Sequence, residues 1–208
     1  YAGVPAEVMD GIRNRLRTLQ SDEPLVSVVV IAYNEEKHLP ACLWSLSESV
    51  CEYPMEIIGV NNDSADRTAD VFEASGIPYH TELQHSCGYA RRCGLQYAQG
   101  KYYICIDSDT MYPPGYVQAM ADALQRPGIV AVSSLWSYMP DEGHPWLGLK
   151  IYEFMRDTHL WMQSFKRPEL SVRGLVFAYN ADYGRKVGYR VDIVRGEDGP
   201  MALGVKQY

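Results

Sequence analysis

Leu25-Val-Ser-Val-Val-Val-Ile-Ala32, followed at once by Tyr33-Asn34-Glu35-Glu36, decides the fold. The first eight residues are apolar and mostly β-branched except for Ser27, so neither face is left for water. That is the pattern of a parallel strand covered on both sides. Met55-Glu-Ile-Ile-Gly-Val60 and Tyr102-Tyr-Ile-Cys-Ile106 read as two further strands. Between them, Leu39, Leu43, Leu46 and Val50 recur at helical spacing and place a helix from about Glu35 to Ser49. Ala65 to Ala74 reads as a helix ended by Gly76 and Pro78, and Tyr89 to Gln99 as another closed by Gly100. Strands alternating with helices imply an α/β chain whose sheet is parallel and doubly wound. Ligands of such sheets bind beyond the carboxyl ends of the strands. Here those ends carry Tyr33-Asn34-Glu35, Asn61-Asn62-Asp63 and Asp107-Ser108-Asp109, three polar and mostly acidic clusters on one edge.

Beyond Ile129-Val-Ala-Val-Ser-Ser134 the alternation weakens. Pro145 to Phe165, rich in Trp and Met, reads as a core helix, with contact to a lipid-linked acceptor as the alternative. Arg173-Gly-Leu-Val-Phe-Ala178 reads as a short strand, Lys186-Val187-Gly188 closes a short helix, and Gly196-Glu197-Asp198-Gly199-Pro200 opens a final helical turn.

Composition narrows the function. The 208 residues are 47% hydrophobic and 22% charged, and the net charge of −7 disfavours nucleic acid as a partner. No apolar run approaches the roughly eighteen residues of a membrane span. Residues 1–24 read as a polar N-terminal helical extension rather than a signal peptide. Five cysteines without a C-x-x-C pair argue against a zinc site or a disulfide framework and favour a reducing, cytoplasmic setting. The five histidines share no ligand spacing and read as structural or exposed.

Two nucleotide signatures drop out. No G-x-G-x-x-G follows the first strand, and the run from Gly94 to Gly100-Lys101 is one residue too long for a P-loop, with Tyr102 in place of Ser or Thr. A bare D-x-D pair arises about once by chance in a chain with this much Asp, so Asp107 and Asp109 matter only because they directly follow a strand. There they read either as turn aspartates or as oxygen ligands for Mg²⁺ or Mn²⁺ completed by substrate phosphates. Asn61, Asn62 and Asp63 read either as an Asx-turn or as readers of a nucleobase or ribose. Arg91 reads either as part of a solvated helix face or as a diphosphate contact. Glu197 and Asp198 meet a helix N-terminus, where acidic side chains are favoured electrostatically.

Taken together, these motifs resemble the family 2 glycosyltransferases of GT-A fold, from about Leu25 to Gly204. Val28-Val-Val-Ile-Ala-Tyr-Asn-Glu-Glu36 is similar to that family's first strand and loop, and Val60-Asn-Asn-Asp-Ser-Ala-Asp-Arg-Thr68 to its second loop. Gly88-Tyr-Ala-Arg-Arg-Cys-Gly94 resembles its Ala-Arg-Asn-x-Gly helix, Asp107-Ser-Asp109 its metal motif and Gly196-Glu-Asp198 its acidic pair. Asn61 and Asn62 stand where Asp-Asp is more usual.

The resemblance implies a single GT-A catalytic domain over 25–208, lacking its natural C-terminal end, with a mostly parallel doubly wound sheet flanked by helices. It implies inverting sugar transfer from a nucleotide-diphospho-sugar, UDP-linked ahead of GDP-linked, to a glycan, polysaccharide or lipid-linked acceptor. Ala32, Tyr33, Glu35, Asn61, Asn62, Asp63, Arg91, Asp107 and Ser108 would then bind the donor. Asp109 and Asp107 would hold Mn²⁺ or Mg²⁺, Asp198 would be the general base and Glu197 would orient it or the acceptor. The setting would be cytoplasmic, with or without peripheral contact at the inner face of the membrane. The competing readings are a non-catalytic nucleotide-sugar-binding module and a sugar nucleotidyltransferase, although the latter generally carries a Gly-rich basic loop where this chain has Tyr33-Asn-Glu-Glu36.

Overall fold

The computed structural model describes residues 3–193 and 196–208; Tyr1 and Ala2 of the expected N-terminal extension lie outside them. The reading of Leu25–Ala32 holds. Strand β1 (Val26–Ala32) is buried along its whole length and lies between β2 (Met55–Asn61) and β4 (Tyr102–Asp107), parallel to both. Val29 is in register with Ile58 on one side and Cys105 on the other. The short β3 (Tyr79–Thr81) extends the sheet beyond β2. On the far side, β6 (Phe177–Asn180) and β5 (Ala131–Ser133) add an antiparallel edge, giving the order β3-β2-β1-β4-β6-β5. The sheet is mostly parallel, as expected.

Alternate residues of β1 serve two cores, as the two-residue period of a strand requires. Val26, Val28 and Val30 face a layer built from α1 (Ala6–Leu19), α2 (Leu39–Ser47), α3 (Thr68–Ser75) and α5 (Tyr116–Leu124). Val29 and Ile31 face α4 (Cys87–Tyr97), α7 (Ala181–Val187) and α8 (Asp198–Val205). Each fully buried valine contributes about 1.5–3 kcal/mol, so β1 is the thermodynamic centre of both layers. Helix α1 joins the first layer through Met9, Ile12 and Leu16, all buried. The polar interruption at Ser27 is satisfied: its hydroxyl donates to Glu56 Oε1 at 2.5 Å and accepts from Gly100 N–H at 2.8 Å.

Four expectations need correction. Helix α2 begins at Leu39 rather than about Glu35, because side chains of the neighbouring loop capture the preceding backbone: Glu35 N–H donates to Thr68 Oγ1 and Glu36 N–H to Asp66 Oδ2. The strand expected at 173–178 forms later, at Phe177–Asn180, after a 3₁₀ turn at Gly174–Val176. Helix α5 and strand β3 escaped the sequence reading. Finally, the Trp- and Met-rich helix α6 (Trp146–Ser164) is not a core helix. Only Glu153 and Leu160 of it are buried, while Trp146, Phe154 and Trp161 are each more than 60% exposed.

Candidate active site

The strand order turns around at β1, with β2 on one side and β4 on the other, so the switch point lies between β1 and β4. An open cleft of ≈ 180 Å³ sits there, lined by Ala32, Tyr33, Glu35, Asn62, Asp107, Ser108 and Asp109 among others. Loops at the ends of β1 and β2 build one wall by bracing each other. Asn34 and Asp63 each adopt a left-handed φ of 55°, which Asn and Asp tolerate better than other side-chain-bearing residues. Asn34 N–H donates to Ser64 Oγ and Asn34 Oδ1 accepts from Ala65 N–H, at 2.9 and 2.8 Å.

Asn62 closes the next wall. It is buried, and its amide donates to the carbonyls of Glu82 and Gln84 while accepting from Ser86 N–H. Ser86 in turn caps α4 by accepting from Tyr89 N–H at 3.2 Å. Asn62 therefore lines the cleft with its hydrogen-bonding groups already committed to seating the α4 N-terminus. Asn61 is buried, caps the turn at Ser64 N–H and does not line the cleft. Asp63 also lies off the cleft, 3.3 Å from His85 on the surface.

Behind the floor is a buried ion cluster. The Arg91 guanidinium donates through Nη2 to Asp107 Oδ1 at 2.7 Å and through Nε to Glu197 Oε1 at 3.4 Å, with Asp198 Oδ1 at 3.3 Å from Nε. Arg91 is 2% exposed and does not line the cleft. The solvated-face reading of Arg91 gives way to this arrangement, in which its guanidinium faces three carboxylates. Burial opposes that charge, but Asp107 and Asp198 outweigh it and hold the guanidinium cationic. Asp198 is pushed up to about 6, first by burial and then by Glu197 and Asp107, against the pull of Arg91 and of the Gly174 backbone. Its Oδ1 has no aligned hydrogen bond. Tyr112 steadies Asp107 from the other side, its hydroxyl accepting from Asp107 N–H and donating to Leu175 O.

Gly174 was missed from sequence. A Cβ there would clash with Arg91 Nη2 and stand 2.7 Å from Asp198 Oδ2, so the cluster requires glycine. No sequence signal marks it, whereas Tyr112, three residues after Asp109, was within reach of a longer motif. Ile31, Cys87 and Ala90 also line the cleft and were not among the candidate site residues.

Asp107 and Asp109 offer only oxygen donors, which suits a hard divalent cation. Among the described residues no group of three or more His, Cys, Asp or Glu side chains forms a complete cage. Two carboxylates, one of them with an oxygen already bonded to Arg91, supply at most part of a coordination shell. No described helix is long and apolar enough to cross a membrane.

Fold and site define an α/β domain with an acidic ligand cleft at the switch point of its sheet. Residues 27–183 match the model of Glycosyl transferase family 2, and the chain belongs to that family. It is 27% identical over 187 residues to the glycosyltransferase GlyA of Streptococcus pneumoniae, covering 84% of this chain and 27% of that one. The fold is that of GT-A proteins. A mannosyltransferase from Pyrobaculum calidifontis, solved with GDP-Man and Mn²⁺, superposes with a TM-score of 0.65 at 18% identity, covering 96% of this chain and 59% of the other. Glucosyl-3-phosphoglycerate synthase from Mycobacterium tuberculosis, solved with Mn²⁺, UDP-glucose and phosphoglyceric acid, gives 0.57 at 22% identity, covering 87% and 62%. The chain spans roughly a third of the length of the curated relatives it matches first.

Proposed function

We propose that this chain is the donor-binding and catalytic domain of an inverting glycosyltransferase. It would move sugar from a nucleotide-diphospho-sugar to a hydroxyl of a glycan or lipid-linked acceptor. One observation carries this reading: Asp107 and Asp109 stand at the cleft while Arg91 ties Asp107 directly to the buried pair Glu197 and Asp198. The elements for holding a donor and for accepting a proton are thus one connected unit.

Ala32, Tyr33 and Glu35 form the wall that would receive the nucleoside. Asp107, Ser108 and Asp109 would face the diphosphate, and Mn²⁺ or Mg²⁺ held by the two aspartates would supply Lewis-acid stabilisation of its developing charge. Asp198, with its carboxyl near 6, is mostly ionised at neutral pH. It is 9% exposed and lies behind the cleft floor rather than lining it, so it would take the acceptor proton only from an acceptor that reaches the floor. Arg91 keeps Asp107 and Asp198 at fixed separation, and Glu197 anchors the same guanidinium. One displacement assisted by one base inverts the anomeric centre.

The test is calorimetric titration of UDP, GDP, CDP and dTDP, each with and without Mn²⁺. Micromolar binding of one nucleotide, with UDP expected first, that needs the metal and is lost in Asp109→Ala supports the reading. Absence of binding by all four with Mn²⁺ present overturns it.

A further inference from the structure

A second cavity, of ≈ 570 Å³, adjoins the acidic cleft. Its size falls within the range of about 300–1,000 Å³ common to small-molecule sites. The two share the segment that follows β4: Asp107, Ser108 and Asp109 line the cleft, while Thr110, Met111 and Tyr112 line the cavity. Tyr112 also joins the cavity to the cleft floor, because its hydroxyl accepts from Asp107 N–H. Residues 134–137 and Asp157 of α6 supply another wall.

That wall is held in place at three points. Ser134 N–H donates to Val176 O at 3.0 Å, Arg156 Nη2 donates to Trp136 O, and Tyr138 N–H donates to Glu153 Oε1 at 2.7 Å. The Arg156 guanidinium lies 4.3 Å from the centre of the Trp136 ring, and the arginine side chain is only 9% exposed. The indole is thus fixed in advance, which spares a ligand the cost of ordering it. Asp157 is held by the same arginine. Arg156 donates to its Oδ1 at 2.8 Å, and Oδ2 has no partner among the described residues.

The lining selects the chemistry of the occupant. Trp136, Tyr112 and Tyr116 offer aromatic surface, Ser134 and Ser137 offer hydroxyls, and Asp157 offers a carboxylate oxygen that can only accept. Among the described residues no lysine or arginine lines the cavity, and Arg156 beside it is already paired with Asp157. A phosphate or other anion would therefore meet a like charge and no free cation. A purely apolar chain would desolvate the carboxylate and the hydroxyls without replacing their hydrogen bonds. An uncharged saccharide satisfies both kinds of surface: its C–H faces pack on the rings, and its hydroxyls donate to Asp157 Oδ2.

We propose that this cavity binds an uncharged saccharide, which serves as the acceptor. The acceptor role rests on the function proposed above; saccharide binding does not, and it is tested without nucleotide first.

Saturation-transfer NMR on the 208-residue chain, with cellobiose, maltose, lactose and chitobiose as probes, reads the binding directly. At least one disaccharide is expected to bind at millimolar concentration, and to stay bound when UDP and Mn²⁺ are added, as an acceptor must. Trp136→Ala should weaken that sugar at least tenfold, and Trp136→Phe should recover most of the affinity. Asp157→Asn keeps an oxygen for Arg156 and should weaken binding several-fold, with circular dichroism like that of the parent. Glucose 6-phosphate should bind more weakly than glucose. The proposal is overturned if none of the four disaccharides binds, or if Trp136→Ala leaves the affinity unchanged. It is also overturned if glucose 6-phosphate binds more tightly than glucose, or if UDP displaces the sugar, which would place it in the cleft. Failure of every nucleotide to bind would instead sink the transferase reading and leave the saccharide result standing.

Discussion

Arg91 is the residue on which the site turns. One buried guanidinium holds Asp107 at a strand end and, 106 residues beyond Arg91 itself, Glu197 at a helix start. Removing one partner of a buried ion pair costs more than the pair contributes net, since the others remain desolvated and uncompensated. Arg91→Leu should therefore lower stability by about 3–5 kcal/mol in urea unfolding. A loss below 1 kcal/mol would mean that water already screens the cluster. Gly174→Ala probes the same geometry from outside, because its methyl group must displace either Arg91 or Asp198. Its expected cost is about 1–3 kcal/mol, as for overpacking elsewhere in a core. Unchanged stability together with unchanged nucleotide affinity would show that the guanidinium has room to move. None of this coupling was legible in the sequence. Asp107 and Asp198 were marked there by strand-end and helix-start context, but no local pattern records that one arginine joins them.

At the scale of elements, the three long parallel strands were legible because continuous β-branched stretches bounded by polar turns admit few other readings. β3 was not, since Tyr79–Thr81 has no hydrophobic period of its own and exists by pairing with β2. Helix α6 was misjudged for a different reason: aromatic content indicates burial only when something covers it, and periodicity cannot say which face has a partner. The second loop illustrates how a departure from a family pattern can be structural. Asn62 donates two hydrogen bonds to carbonyls and accepts one, linking the end of β2 to the entrance of α4. A carboxylate has no protons to give Glu82 O and Gln84 O. Asn62→Asp, although it moves toward the more usual residue, should lose about 1–3 kcal/mol through those unmet buried acceptors. The variant should also fray the start of α4, read as faster amide exchange at Tyr89. If Asn62→Asp is as stable as the parent, the 82–86 segment is held by other contacts.

At the scale of the whole molecule, Asp198 contributes a pH dependence opposite in sign to that of the carboxylates the fold depresses. A carboxylate depressed in the folded state contributes stability that is lost on acidification; Asp66, bonded through Thr68 and the Glu36 backbone, behaves that way. Asp198 is raised, from an ordinary value of 3.8 to about 6, principally by burial. Below 3.8 it is protonated in both states and contributes nothing. As pH rises through that value toward 6 the unfolded chain ionises first, so folding becomes progressively less favourable, and above 6 the penalty is complete. A shift of this size corresponds to about 3 kcal/mol, most of it charge that the fold holds in a poorly solvated place. Asp198→Asn removes the titration and keeps the shape. Its melting temperature should exceed that of the parent most at pH 8, and the two curves should converge between pH 6 and 4. The same variant should retain nucleotide binding and lose transfer, because the proton acceptor is gone while the cleft is intact. Active sites commonly carry such strain, with stability conceded where chemistry needs a poised group. A variant that melts below the parent at pH 8 would show that Asp198 is held chiefly by Arg91 rather than opposed by burial, and its carboxyl would then titrate low, too weak a base for the role assigned to it.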